Sequence, residues 1–110
     1  MTIYHPTLAG GRWQTFSFLE QMANVGSEVG RALNWKERGN EANCILAYER
    51  ALELLDFTLD DPRNRPRLRE IARVRESLVD FFQGINEFGS TPRLLRNYFD
   101  AFAFAARRNY

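Results

Sequence analysis

Four stretches of this sequence repeat their apolar residues with the spacing of an α-helix, and this pattern constrains the fold more than any other feature. In the first stretch the spacing alternates between four and three residues, which keeps one apolar stripe on one side of a helix. No stretch shows the alternation and hairpin turns that are typical of β-strands. The first stripe consists of Phe18, Met22, Val25, Val29 and Ala32.

Capping residues and helix breakers separate the four stretches. Gly39 suits the left-handed position that ends a helix, and Asn40 can cap the helix that follows. Pro66 and Pro92 fit the first turns of the third and fourth helices. The sequence therefore predicts helices over residues 13–38, 41–60, 66–83 and 92–110.

We expect these helices to form an all-α, antiparallel four-helix bundle over residues 13–110, preceded by an arm over residues 1–12. Short loops favour antiparallel neighbours, and 110 residues suit one domain. Hydrophobic residues make up 45% of the chain, which supplies a core and argues against disorder. The alternative fold has three long helices and a C-terminal helix that docks on another subunit.

Two glycines interrupt the first predicted helix. Gly26 and Gly30 lie within an amphipathic segment, where each glycine costs up to about 1 kcal/mol of helix stability. One interpretation is that another backbone approaches closely at this point. The other is a kink or a tolerated weakness.

The sequence contains no strong catalytic or metal-binding motif. Its single histidine, His5, lies in the arm, and its single cysteine, Cys44, lies in the second helix, so no nucleophile–base pair or cysteine zinc site is indicated. The Glu-x-x-His pairs of carboxylate metal centres in bundles do not occur. We therefore predict no enzymatic activity, metal or cofactor, and keep an enzyme with a buried carboxylate site as a third hypothesis.

The chain shows neither a signal-peptide pattern nor an apolar run long enough for a membrane span. A lone cysteine also fits a reducing compartment. These features predict a cytoplasmic protein.

Positive charge is concentrated in residues 63–75. This segment holds six arginines and one acid, a net charge of +5, whereas the whole chain carries +1. Arginines spaced by four form one row on a helix, and guanidinium groups bind phosphates bidentately. We take five of them as candidate nucleic-acid-binding residues: Arg63, Arg65, Arg67, Arg69 and Arg73. In the alternative interpretation the row pairs with acids of a neighbouring helix, namely Asp56, Asp60 and Asp61.

The last predicted helix is rich in phenylalanine. Phe102 and Phe104 lie about 200° apart on a helix, so they cannot both face one core. Either one of them contacts a partner or both are partly exposed in the ordinary way. The candidate partner-binding residues are Phe99, Phe102 and Phe104.

Two segments carry a resemblance to a known group of proteins. They are Ala-Asn-Val-Gly-Ser-Glu at residues 23–28 and the alanine- and leucine-rich Ala-Tyr-Glu-Arg-Ala-Leu-Glu-Leu-Leu at residues 47–55. In the order of its helices and in their residue composition, the chain over roughly residues 13–108 resembles the accessory variability determinants of diversity-generating retroelements. It also resembles the related proteins encoded in intervening sequences of large-subunit ribosomal RNA.

The resemblance implies a ring-shaped homo-oligomer, typically a pentamer, that binds RNA or DNA and a reverse transcriptase. The near-neutral total charge departs from that pattern. We expect a non-enzymatic, oligomeric accessory protein that binds nucleic acid and a partner enzyme through a basic helix face. The alternative is a protein-interaction or antitoxin-like assembly module without nucleic-acid binding, which uses its aromatic C-terminal helix.

Overall fold

The computed structural model describes residues 11–108, and their regular structure is entirely helical. The expected all-α class is therefore confirmed for this part of the chain. Residues 1–10 of the predicted arm lie outside the described residues. The α-helices are α1 (Phe18–Glu37), α2 (Glu41–Asp60), α3 (Leu68–Gln83) and α4 (Pro92–Arg108), and 3-10 helices at Arg12–Thr15 and Pro62–Arg67 precede α1 and α3.

Helix α1 is at the centre of the bundle. It packs against both α2 and α4, whereas α3 packs mainly on α2. The predicted apolar stripe of α1 is buried at every position except Phe18, which is half-buried. Among the described residues, no helix combines the length and apolar character that crossing a membrane requires.

The first helix begins five residues later than the sequence predicted. Ser17 forms a capping box with Glu20, in which the Ser17 hydroxyl accepts from Glu20 N and the Glu20 carboxylate accepts from Ser17 N. Because this box fixes the helix start, Trp13 lies in a separate 3-10 turn. Its indole N–H donates to Thr58 Oγ1 at 3.0 Å, so Trp13 is buried although it precedes α1.

Helix α3 also begins later than predicted, at Leu68 instead of Pro66. Asp61 accepts a hydrogen bond from Arg63 N and caps a 3-10 helix that contains Pro66. Arg65 therefore belongs to the 3-10 helix, and only Arg69 and Arg73 of the predicted row lie on α3.

A buried polar cluster joins the starts of α1 and the second 3-10 helix. The Gln21 amide donates to Asp61 at 2.9 Å and to the Trp13 carbonyl at 3.1 Å. Asn64 donates to Gln21 Oε1 at 2.8 Å and to the Thr58 carbonyl at 2.9 Å. Because each buried amide finds partners, the cluster ties the arginine-rich segment firmly to the bundle.

Gly26 marks a close approach between α1 and α4. A Cβ atom at this position would lie 2.6 Å from Phe99 Cβ, whereas a Cβ at Gly30 would meet nothing within 4 Å. Close packing therefore explains Gly26 but not Gly30.

Candidate functional site

The Arg63 side chain is 54% exposed, but its guanidinium group is engaged by partners within the protein. Its Nη2 atom lies 2.7 Å from Asp61 Oδ2 and donates to the Phe16 carbonyl at 2.7 Å. The Arg63 hydrogen bonds, together with that from Gln21, lower the pKa of the buried Asp61 carboxyl from 3.8 to about 2. The proposed nucleic-acid role of Arg63 therefore has no support in the geometry, since its charge already compensates a buried carboxylate.

Two further arginines of the segment have intramolecular contacts of different kinds. The Arg67 guanidinium lies over the Phe18 ring, 4.4 Å from its centroid, which is a cation–π contact. Arg75 forms a salt bridge of 2.8 Å with Asp56. The alternative of pairing within the bundle thus applies to Arg63 and Arg75.

Three arginines remain without such partners. Within residues 11–108, the guanidinium groups of Arg65, Arg69 and Arg73 form no hydrogen bond, salt bridge or cation–π contact, and all three side chains are exposed. We call these three residues the free arginine face. They are the part of the predicted site that the structure leaves available to an anion.

An apolar groove of about 510 Å³ runs between α3 and α4 beside this face. Val74, Leu94 and Phe99 contribute to its lining, and Arg69 and Arg73 border it. The groove thus joins two features that the sequence presented as separate, the arginine row and the C-terminal helix.

Tyr98 of α4 belongs to the lining of this groove and reaches α3 with its hydroxyl. Its hydroxyl donates to Glu70 Oε1 at 2.9 Å. Burial and the neighbouring Glu70 carboxylate raise the pKa of the Tyr98 hydroxyl well above 10, so it stays protonated and keeps its donor role near neutral pH.

The three phenylalanines that were predicted to bind a partner differ in exposure. Phe99 is only 3% exposed and packs over Gly26. Phe102 is half-buried between the rings of Phe18 and Tyr98, with centroid distances of 5.7 and 5.2 Å. Phe104 is 57% exposed, so it alone of the three presents most of its ring to solvent.

The loop between α3 and α4 contains exposed apolar residues that the predicted site did not include. Ile85 is 84% exposed and Phe88 is 57% exposed. The signal in the sequence was a pair of large apolar side chains in a loop bounded by glycines. An analysis of helical periodicity does not detect such residues, because a loop has no helical period.

Two further observations concern metal-ligating side chains and the single cysteine. Among them, no three His, Cys, Asp or Glu side chains come close enough together to hold a metal ion. Cys44 borders a pocket of about 500 Å³ with Lys36 and Tyr48, but burial raises the pKa of its thiol and disfavours the reactive thiolate. His5 lies outside the described residues.

Glu28 is the one described side chain with a buried polar atom that lacks a hydrogen-bond partner, its Oε2. Its other oxygen, Oε1, lies 3.1 Å from Arg31. One carboxylate oxygen without a hydrogen-bond partner does not by itself define a catalytic site.

Comparisons with protein-family models, with curated proteins and with solved structures find no match to this chain.

Proposed function

We propose that this protein is a non-enzymatic accessory protein that binds nucleic acid through the free arginine face. The observation that carries the proposal is that Arg65, Arg69 and Arg73 are exposed and lack intramolecular partners within residues 11–108. Their neighbours Arg63 and Arg75 are paired with carboxylates. A positive face that the fold leaves uncompensated is suited to an external anion.

Phosphate groups are the anions that fit this face best. A planar guanidinium donates two parallel hydrogen bonds to a phosphate, and successive arginines can follow successive phosphates of a strand. Exposed groups need no rearrangement of the bundle before they bind. The contacts would be made to the backbone, so we expect affinity without marked sequence preference.

The proposal has three finer parts. Short loops and the contacts from Trp13 to Thr58 and from Arg96 to Glu37 support an antiparallel order of the helices. The free thiol of Cys44 supports a cytoplasmic location. The resemblance to accessory variability determinants extends the proposal to a homo-oligomer and to a partner reverse transcriptase.

Single charge removals test the nucleic-acid proposal. Fluorescence anisotropy with a labelled single-stranded RNA, and with DNA of the same sequence, would measure affinity at low salt. Each of three variants should weaken binding several-fold: Arg65→Gln, Arg69→Gln and Arg73→Gln. Each should also reduce the slope of log K against log salt by the contribution of about one phosphate contact.

Arg38→Gln is the matched control. Arg38 follows α1, and its guanidinium stacks on the Trp35 ring at 5.4 Å, away from the free arginine face. Its loss should leave affinity unchanged. Equal weakening by all four variants, or no binding by the wild-type chain, would contradict the proposal.

The groove between α3 and α4 favours a second candidate function, an assembly module that binds protein rather than nucleic acid. An open apolar groove bordered by charge is a common docking site for a protein segment. Normal assembly without any nucleic-acid binding would favour this alternative.

A further inference from the structure

The loop after α3 holds two apolar side chains in solvent on a well-bonded turn. The Asp80 carboxylate accepts hydrogen bonds from Glu87 N at 2.8 Å and from Phe88 N at 3.0 Å. The Asn86 side-chain amide donates to the Ser90 carbonyl at 2.8 Å and accepts from Ser90 N at 2.9 Å. These bonds fix a turn, residues 85–88, that displays Ile85 and Phe88 rather than folding them into the core.

The apolar groove between α3 and α4 is equally unfilled by the described residues. Its wall includes Val74 and Leu94, and Leu94 is 58% exposed. Arg69 and Arg73 stand at its border with no carboxylate partner in residues 11–108. Glu70 also lines the groove and accepts from the Tyr98 hydroxyl, so the three charged groups leave the border with a net charge of +1. Its occupant should therefore combine apolar side chains with at least one negative charge.

The 85–88 turn has this composition. Its sequence is Ile-Asn-Glu-Phe, which puts one carboxylate between two exposed apolar residues. Within residues 11–108, the Glu87 carboxylate joins no salt bridge and accepts no hydrogen bond. The turn and the groove are therefore complementary in two respects. Both present apolar side chains, and the unpaired Glu87 carboxylate can pair with the unpaired arginines at the border of the groove.

We propose that the 85–88 turn of one molecule docks into the α3–α4 groove of a second copy of this chain. Phe88 and Ile85 contact the apolar wall, and Glu87 pairs with Arg69 or Arg73. Docking removes three exposed apolar side chains from water, counting Leu94, and burial of apolar surface is the main favourable term in most protein association. The inference does not depend on the proposed nucleic-acid binding, because self-association is measured without nucleic acid.

Sedimentation velocity of the full chain over a range of protein concentrations tests the docking. The wild-type chain should associate, and Phe88→Ala should weaken association by about tenfold or more, the equivalent of one buried aromatic side chain. Leu46→Ala is the control, because Leu46 is an apolar side chain on α2 that is 40% exposed and does not line the groove. It should leave association unchanged.

A charge exchange tests the polar part of the contact. Glu87→Arg should weaken association, and adding Arg69→Glu and Arg73→Glu to the same chain should restore it in part. All these positions are exposed, and circular dichroism would verify that each variant stays folded. If Glu87 only stabilised the turn of its own chain, reversing the charges at positions 69 and 73 would not restore association.

Three results would overturn the proposal. The first is a wild-type chain that stays monomeric at all concentrations, which would leave the groove to a foreign partner. The second is association that Phe104→Ala weakens and Phe88→Ala does not, which would assign the interface to the end of α4. The third is a pattern of cross-links that excludes the groove. Chains that carry the photo-cross-linker p-benzoylphenylalanine in place of Phe88 would be mixed with isotope-labelled chains, and cross-links between copies that form outside α3 and α4 would contradict the docking.

Discussion

Gly26 allows α1 and α4 to pack more closely than any other residue would at that position. The base of the Phe99 side chain occupies the space that a Cβ atom would need. Because Cβ of Phe99 moves only with its backbone, relief of a clash would require α4 to shift. Phe99 lines the α3–α4 groove, so a shift of α4 would also change the shape of that groove.

Alanine substitutions at the two glycines of α1 should have opposite effects on stability. Gly26→Ala should destabilise the protein by about 1–3 kcal/mol, because overpacking outweighs the gain in helix propensity. The Cβ atom that Gly30→Ala adds would have no other atom within 4 Å, so this variant should stabilise the protein by roughly 0.4–1 kcal/mol. Urea unfolding measures both changes, and a Gly26→Ala variant as stable as Gly30→Ala would refute the close contact.

Asp61 makes stability depend on acid pH. Its pKa is lowered to about 2 in the folded protein, so the ionised carboxylate stabilises the fold fully above its ordinary pKa of 3.8. This contribution, about 2 kcal/mol, is lost as the pH falls from about 4 towards 2. Asp61→Asn should be less stable near neutral pH, and the difference from wild type should shrink in acid.

The unfolding free energies of wild type and Asp61→Asn, measured across that pH range, check this prediction. Other carboxylates affect both proteins alike, so the difference between them reports on Asp61. A difference that stays constant with pH would show that Arg63 does not stabilise the ionised form.

At the level of single residues, the sequence indicated some partners and not others. Asp61 and Asp56 were both named as acids that pair with the arginine segment, and they do pair with Arg63 and Arg75. Which arginines would stay free was not predictable, because that depends on the 3-10 geometry between Pro62 and Arg67. Pairing distances across such a turn do not follow from residue spacing alone.

The capping box at Ser17 separates α1 from the preceding 3-10 turn. Ser17→Ala should destabilise the protein by about 1 kcal/mol, because the first turn of α1 loses a hydrogen-bond acceptor. Ser27→Ala is the control, since its hydroxyl only bonds the Ala23 carbonyl within the helix. That change should be neutral or slightly stabilising. Thermal unfolding would compare the two, and equal losses would argue against the cap.

The 85–88 turn depends on Asp80. Asp80→Ala removes the acceptor of the Glu87 and Phe88 amides, so these amides should exchange with solvent faster. The same variant should weaken self-association, because the apolar side chains lose their fixed orientation. Hydrogen exchange followed by NMR measures the first effect. Unchanged exchange at both amides would show that the carboxylate does not hold the turn.

Helix positions were largely predictable because they follow from local patterns. The stripe on α1 and the breaks at Gly39 and Pro92 all agree with the structure. In α2, Ile45 recurs with Tyr48, Leu52 and Leu55 at helical spacing, yet it is 43% exposed. Periodicity identifies the residues that share one face of a helix. How many of them are buried depends on how the neighbouring helices pack against that face.

The α3–α4 groove could not be predicted in the same way. Its width depends on how far α4 stands from α3, and α4 packs chiefly on α1. That distance is a property of tertiary packing, to which Gly26 contributes through Phe99. The sequence supplied the residues of the site but not their grouping.

Across the whole molecule, charge is segregated although the net value is only +1. The bundle neutralises part of the arginine segment internally and leaves the free arginine face exposed. If copies associate through the 85–88 turn, Glu87 pairs with one arginine of each face. The remaining arginines of several copies would then act together, and multivalent contacts raise the avidity for a long polyanion. Assembly would then offset the modest charge of one chain.

The salt dependence of nucleic-acid binding by the wild-type chain is the decisive measurement. Each phosphate neutralised on a single strand contributes a slope of about −0.7 to log K against log salt, so the three residues of the free arginine face predict a slope of about −2 between about 50 and 200 mM salt. A slope near zero, or no binding at the lowest salt concentration, would contradict a phosphate-binding role for this protein.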